Sequence, residues 1–165
     1  MSDRPLWAPW RTEYVTKPKT GDCVFCAAAA ADGGVEEGEL VVERGELCFT
    51  MLNAFPYAAG HVMVSPYRHV GELEELTEDE TGELMRLATG AIAALRGLMN
   101  PAGFNVGLNL GRVAGAGFAD HLHLHVVPRW EGDTSFMPVI GDTRVISQAL
   151  GETATALREA LAERR

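Results

Sequence analysis

The sequence predicts an α+β domain in which an antiparallel sheet is covered by helices on one side. Three observations lead there: five short apolar segments of strand length set between turn residues, one long stretch with apolar residues at helical spacing, and a second helical stretch at the end. Strands grouped around short turns, with helices segregated between and after them, favour antiparallel pairing over alternating βα units. The chain has 165 residues, enough to bury a real core in one domain. That domain is expected over residues 21–165, behind an aromatic and proline-rich arm over residues 1–20 that contains "LWAPWRTEYV".

The elements follow in order. "DCVFCAAAAADGG" is a Cys-x-x-Cys knuckle running into an alanine-rich turn of helix that ends at Gly33 and Gly34. "ELVVER" and "LCFTML" are strands of a hairpin, separated by Gly45, and Cys48 within the second is a buried small apolar residue. "NAFPYAAG" is a loop, and "HVMVSP" is a strand halted by Pro66. In "TEDETGELMRLATGAIAALRGLMN", Thr77 and Glu80 have capping-box spacing. Leu84, Leu87, Ala88, Ala91, Leu95 and Leu98 form one apolar face, and Pro101 ends the helix. "FNVGLNL" is a strand with Phe104, Val106, Leu108 and Leu110 toward the core, followed by the glycine-rich loop "GRVAGAGFAD". After the next strand, a helix over residues 145–163 closes the chain.

Composition narrows the function. A formal charge of -9 argues against broad nucleic-acid binding, because phosphate backbones are repelled, yet allows a small anion held by local donors. Three cysteines are an odd number and too few for a disulfide scaffold, which fits a reducing cytoplasm. "MSDRPLWAPWR" lacks the apolar core of an export signal, and no apolar run is long enough for a bilayer, so neither export nor a membrane is expected.

The last strand, "DHLHLHVVPRW", carries the chemistry. Side chains alternate along a strand, so Leu122, Leu124 and Val126 face the core. His121, His123 and His125 then share the open face at intervals of about 6.5–7 Å, and Pro128 stops the ladder. If the preceding strand pairs across the glycine-rich loop, Asn105, Gly107 and Asn109 lie beside the imidazoles. Gly111, Gly115 and Gly117 let backbone N–H groups approach an anion closely. Two chemistries fit: a hydrolytic zinc centre held by the three histidines, or a neutral imidazole attacking phosphorus and leaving again in a second step. Separately, Cys23 and Cys26 have half of a zinc-site spacing, with two ligands to come from elsewhere.

"HLHLHVV" is similar to the His-φ-His-φ-His-φ-φ pattern of the histidine-triad (HIT) family, where φ is apolar. "GHVMVSPYRH" resembles the family's Gly-His strand with its following proline and second histidine, and "CVFC" resembles the knuckle of many bacterial members. "LWAPWRTEY", "GFNVGLNLG" and "HVVPRW" look like the branch that cleaves diadenosine tetraphosphate by phosphorolysis or hydrolysis. The resemblance implies a HIT-like fold, a five-stranded antiparallel sheet with one long and one C-terminal helix. It implies His123 as the nucleophile that forms an adenylyl-histidine at the α-phosphate, and His125 as the residue that binds phosphoryl oxygens and serves the leaving group. His61 would support the triad, Asn109 would lie near the reacting centre, Asn53 would hold the ribose, and Gly117 and Phe118 would offer backbone donors. Arg129 and Trp130 would reach the polyphosphate and a base, or only pack the strand end. His69 and His121 would complete a structural zinc site with Cys23 and Cys26, magnesium would accompany the substrate, and the chain would form a homodimer or larger assembly. Arg68 reads as a solvated surface charge. In "AGAGFAD" no serine stands near Gly117, where related phosphorylases carry one, so water and inorganic phosphate both remain as second acceptor. The competing readings are the three-histidine zinc hydrolase and a nucleotide-binding sensor with little turnover.

Overall fold

The computed structural model describes residues 23–31, 40–133 and 150–164; the arm of residues 1–20 and the glycines Gly33 and Gly34 lie outside them. Its elements are α1 (Val24–Ala30), β1 (Val41–Arg44), β2 (Cys48–Leu52), β3 (Val62–Pro66), α2 (Glu78–Met99), β4 (Gly103–Leu108), β5 (Leu124–Arg129) and α3 (Leu150–Ala162). The five strands form one antiparallel sheet in the order β1-β2-β3-β5-β4.

Alternation along the strands builds two unequal cores. On one face Leu52, Val62, Val64, Leu124 and Val126 pack under α2 and α3. On the other, Phe49, Met51 and Met63 pack with Phe25 of α1. The face expected to be open is therefore covered.

α2 begins as its sequence predicts. The Thr77 hydroxyl accepts from the Glu80 N–H at 3.2 Å, and the Glu80 carboxylate accepts from the Thr77 N–H at 2.8 Å. Asn100 ends it in the left-handed region at φ 46°. The buried stripe runs from Leu84 to Leu95; Leu98, in the last turn, is 43% exposed.

β4 departs from expectation. Phe104 and Leu108 pack at the core's margin, but Val106 is exposed, because β4 is an edge strand with only β5 beside it, and Leu110 is exposed beyond the strand's end. Pro128 does not stop the ladder either: β4 pairs with β5 as far as Arg129. The β3 ladder ends at Val126, so Pro128's missing N–H interrupts no pairing there.

Two carboxylates on α2 tie it to the rest. Glu83 accepts from the backbone N–H groups of Glu46 at 3.1 Å, Cys48 at 2.8 Å and Leu47, and pairs with Arg86. Burial works against the charge, but these donors hold the Glu83 carboxyl below its ordinary value. The turn between β1 and β2 needs Gly45, since a Cβ there would lie 2.7 Å from the Glu83 carboxylate. Glu80 takes a two-pronged pair from Arg68, at 2.7 and 2.8 Å, and a third Arg68 bond reaches the Glu75 carbonyl at 2.7 Å. Arg68 is half exposed but is not merely solvated; it clamps the start of α2 to the segment after β3.

Candidate active site and metal centre

The three histidines alternate as expected, yet β5 starts only at Leu124, and His121 and His123 sit in the segment leading into it. All three are buried, at 1%, 7% and 9% exposure. α1 supplies the cover. The ring of Phe25, between the two knuckle cysteines, stacks on His123 with centroids 4.7 Å apart and lies 5.1 Å from His121. Phe118 meets the edge of Phe25 at 6.0 Å.

Backbone carbonyls and amides set the ring protons, because a carbonyl can only accept and a backbone N–H can only donate. His121 Nε2 lies 3.0 Å from the Pro66 carbonyl and so carries its proton there, leaving the lone pair on Nδ1. That Nδ1 lies 3.2 Å from the Cys23 sulfur, 3.6 Å from the Cys26 sulfur and 3.2 Å from His69 Nδ1. His123 Nδ1 donates to the His121 carbonyl at 2.8 Å, which leaves its lone pair on Nε2.

A relay runs through the other two imidazoles. The Tyr57 backbone N–H donates to His61 Nδ1 at 3.0 Å, so neutral His61 is protonated at Nε2. His61 Nε2 then donates to His125 Nδ1 at 3.0 Å, which places the His125 proton on Nε2. The side-chain amide of Asn109 lies 3.4 Å from that Nε2. Asn53 approaches His61 Nδ1 at 3.5 Å, and its side-chain oxygen accepts from the Phe55 N–H at 2.9 Å. Met63 and Gly107 pair with His125 from β3 and β4; Gly107, having no side chain, leaves the space beside this imidazole open. The result is one imidazole with its lone pair on Nε2 and a neighbour with its proton on Nε2, their rings 4.9 Å apart and edge to face.

Cys23, Cys26, His69 and His121 bring one ligand atom each to within 4.8 Å of one another, and these four can hold a metal ion. The fit is chemical as well as spatial. A tetrahedral zinc with ordinary bond lengths sets its sulfur–nitrogen separations near ~3.5 Å and its nitrogen–nitrogen separation near ~3.3 Å. The observed Cys23–His121, Cys26–His69 and His69–His121 contacts are each 3.2 Å. Burial, opposed by the Pro66 carbonyl, holds the His121 imidazole below its ordinary value, so it is neutral and ready to ligate. Burial, with Cys23 beside it, raises the Cys26 thiol, so metal binding must displace its proton. Two sulfurs and two nitrogens close a tetrahedron with no position for water. The three strand histidines do not converge on one ion: among the described residues the four-residue set is the only such group.

The remaining expected residues fall as follows. Gly117 and Phe118 lie in the loop ahead of the histidines, and Phe118 reaches the site through Phe25. Arg129 pairs with Asp133 at 2.5 and 2.8 Å and with Asn105 at 2.7 Å, at the strand end. The Trp130 indole N–H donates to the Met99 carbonyl at 3.3 Å. It stands five residues beyond His125, roughly 16 Å along the chain, and within one chain is not brought to the histidines. Phe25 and the Tyr57 amide were missed. The one signal for Phe25 was its place inside the knuckle, and a backbone donor such as Tyr57 leaves no mark in residue type.

A family model described as HIT domain matches residues 35–132. The chain is 45% identical over 158 residues to a Mycobacterium tuberculosis protein named AP-4-A phosphorylase, covering 92% of this chain and 81% of that one. It is 27% identical over 107 residues to an adenosine 5'-monophosphoramidase of Schizosaccharomyces pombe, covering 65% and 74%. Among solved structures, a Zn-bound histidine triad family protein from Mycobacterium smegmatis superposes with a TM-score of 0.66 at 27% identity, over 86% of this chain and 94% of that one.

Proposed function

Because this chain belongs to the HIT family, we propose that it cleaves diadenosine polyphosphates by nucleotidyl transfer through an adenylyl-His123 intermediate. The observation that carries the reading is the pair of opposed ring states: a lone pair on His123 Nε2 beside a proton on His125 Nε2. With diadenosine tetraphosphate, His123 Nε2 attacks the α-phosphorus, a nitrogen–phosphorus bond forms, and the bond to the bridging oxygen breaks. ATP departs, its oxygen received by the His125 Nε2 proton and the Asn109 amide. His61, held in its tautomer by the Tyr57 N–H, donates to His125 Nδ1 and so keeps that proton on Nε2. In the second step an acceptor oxygen attacks the adenylyl-histidine and frees His123. We assign inorganic phosphate as acceptor, on the strength of the 45% identity to a phosphorylase, giving ADP plus ATP overall. Asn53 holds the ribose, and the backbone at Gly117 and Phe118 meets phosphate oxygens as their charge develops.

Cys23, Cys26, His69 and His121 would hold a structural zinc, and that ion would cross-link α1 to the histidine segment. The set is closed, which disfavours the three-histidine hydrolase. Any magnesium arrives on the polyphosphate, since the described residues offer no second cluster for it. Residues 21–165 act as one domain with the arm appended. Among the described residues no helix is long and apolar enough to cross a membrane. We place the protein in the cytoplasm, where both thiols stay reduced for their metal. It forms a homodimer through the β4 edge and its exposed Val106, with α2 adjoining.

Quenched-flow with substrate labelled at the α-phosphate tests this. An acid-labile, base-stable adduct should form in the native enzyme and vanish in His123→Ala, with ADP and ATP as products only when phosphate is present. AMP and ATP without phosphate would replace the acceptor by water. Tight nucleotide binding with no adduct would make the protein a sensor instead.

A further inference from the structure

A dinucleotide substrate has two bases, and the aromatic ring nearest the nucleophile has no surface to offer either: Phe25 is 1% exposed and already stacked on His123. Among the described Phe, Tyr and Trp side chains, the two most exposed are Phe55 at 67% and Tyr57 at 38%. Both lie in the short loop between Asn53 and His61. The loop is a built arch. Its ends are joined by the Asn53 N–H to the His61 carbonyl at 2.9 Å, and its rise is fixed by Phe55 N–H to Asn53 and Tyr57 N–H to His61 Nδ1. Pro56, buried between the two aromatics, roots the middle of the arch while its neighbours stay exposed. At the far end Gly60 has φ +71° and sits so close to Leu95 and Met99 that a Cβ would come within 2.8 Å of each.

The arch also adjoins the leaving-group side of the site. The Tyr57 ring lies 4.7 Å from His61 and 5.8 Å from His125, centroid to centroid. The Tyr57 ring therefore borders the imidazole that serves the leaving group, and Phe55 stands two residues from it in the same loop. Every base has a π-face, and stacking on a protein aromatic ring is sequence-tolerant and substantial.

We propose that Phe55 and Tyr57 form a stacking platform for the base of the leaving nucleotide, so that this loop sets the preference for dinucleoside over mononucleoside polyphosphates. This rests on the adenylyl-transfer reading above. On it, adenosine tetraphosphate is attacked at the same α-phosphorus but expels triphosphate, which has no base to stack.

The test is the ratio of kcat/KM for diadenosine tetraphosphate to that for adenosine tetraphosphate, measured in the native enzyme, Phe55→Ala and Phe55→Trp. Removing the ring should lower the ratio about fivefold or more, and Phe55→Trp should keep it near the native value. Adduct formation with adenosine tetraphosphate shows that each variant is folded. A ratio unchanged in Phe55→Ala overturns the platform, whether both rates fall together or neither falls. Absence of an adduct from either substrate in the native enzyme strikes the adenylyl-transfer reading itself, and the platform with it.

Discussion

The Glu80–Arg68 clamp should make the protein's stability depend on pH in a defined window. Glu80 is buried, and the Arg68 guanidinium, ahead of the opposing effect of burial and with help from Thr77, lowers its carboxyl from 4.5 to about 2. A carboxyl depressed on folding contributes stability above its unfolded pKa and loses it as the pH falls through the folded value. Unscreened, that difference corresponds to about 3 kcal/mol. Arg68 is 51% exposed, so solvent screening reduces the contribution to roughly 1–2 kcal/mol. Glu80→Gln keeps the shape and much of the capping box but has no charge to titrate. Urea unfolding of both proteins, at matched zinc and at several pH values from 7 to 3, measures the native advantage. It should be about 1–2 kcal/mol and flat above pH 5, then shrink steadily below about 4.5 and approach zero near 2. A native advantage that is absent at pH 7, or that stays constant down to pH 3, would refute the reasoning. Because acid also strips metal from both proteins, only the difference between them is informative.

Other perturbations should read out separate parts of the molecule. Phe25→Ala leaves a cavity beside two imidazoles and should cost about 3–5 kcal/mol in urea unfolding, with Phe25→Leu closer to native. Cys26→Ser should lower the zinc content below one per chain and the melting temperature with it, while zinc added to the metal-free native protein should release about two protons in weakly buffered solution. Burial, with Glu83 and Glu80 adding to it, pushes the Cys48 thiol up to about 12. Alkylation at pH 8 with chelator present should therefore label Cys23 and Cys26, leaving Cys48 untouched until the chain is denatured.

Local signals were legible in the sequence because their physics is local. Thr77 and Glu80 needed only a spacing of three positions, and the capping box stands as read. The alternation likewise survives at its centre: Leu124 and Val126 pack under the helices while His123 lies against Phe25 on the other face. What the alternation could not reveal is which face would be covered, because the cover comes from Phe25, nearly a hundred positions earlier. Val106 was misread for a similar reason: an apolar residue on an edge strand has the same local pattern as one on a central strand. Glu83 is a polar residue buried by backbone donors of a turn, and no periodicity signals such a partner. For the metal centre, Cys23 and Cys26 announced themselves by spacing, whereas His69 and His121 came from resemblance and are now joined to them by distance.

The distance along the chain between the first thiol and its imidazole has a consequence for biosynthesis. Cys23 and His121 are 98 positions apart. A growing polypeptide therefore offers both sulfurs early, holds His69 in reserve, and presents the last nitrogen only after most of the sheet has been translated. Bringing residues so far apart in sequence together costs chain entropy, and full coordination requires His121, which is made only after β1 to β4. On the zinc reading proposed above, the metal site stays incomplete until the histidine segment itself has been made, so the ion would join the two ends of the fold only in a chain that already carries its reacting imidazoles.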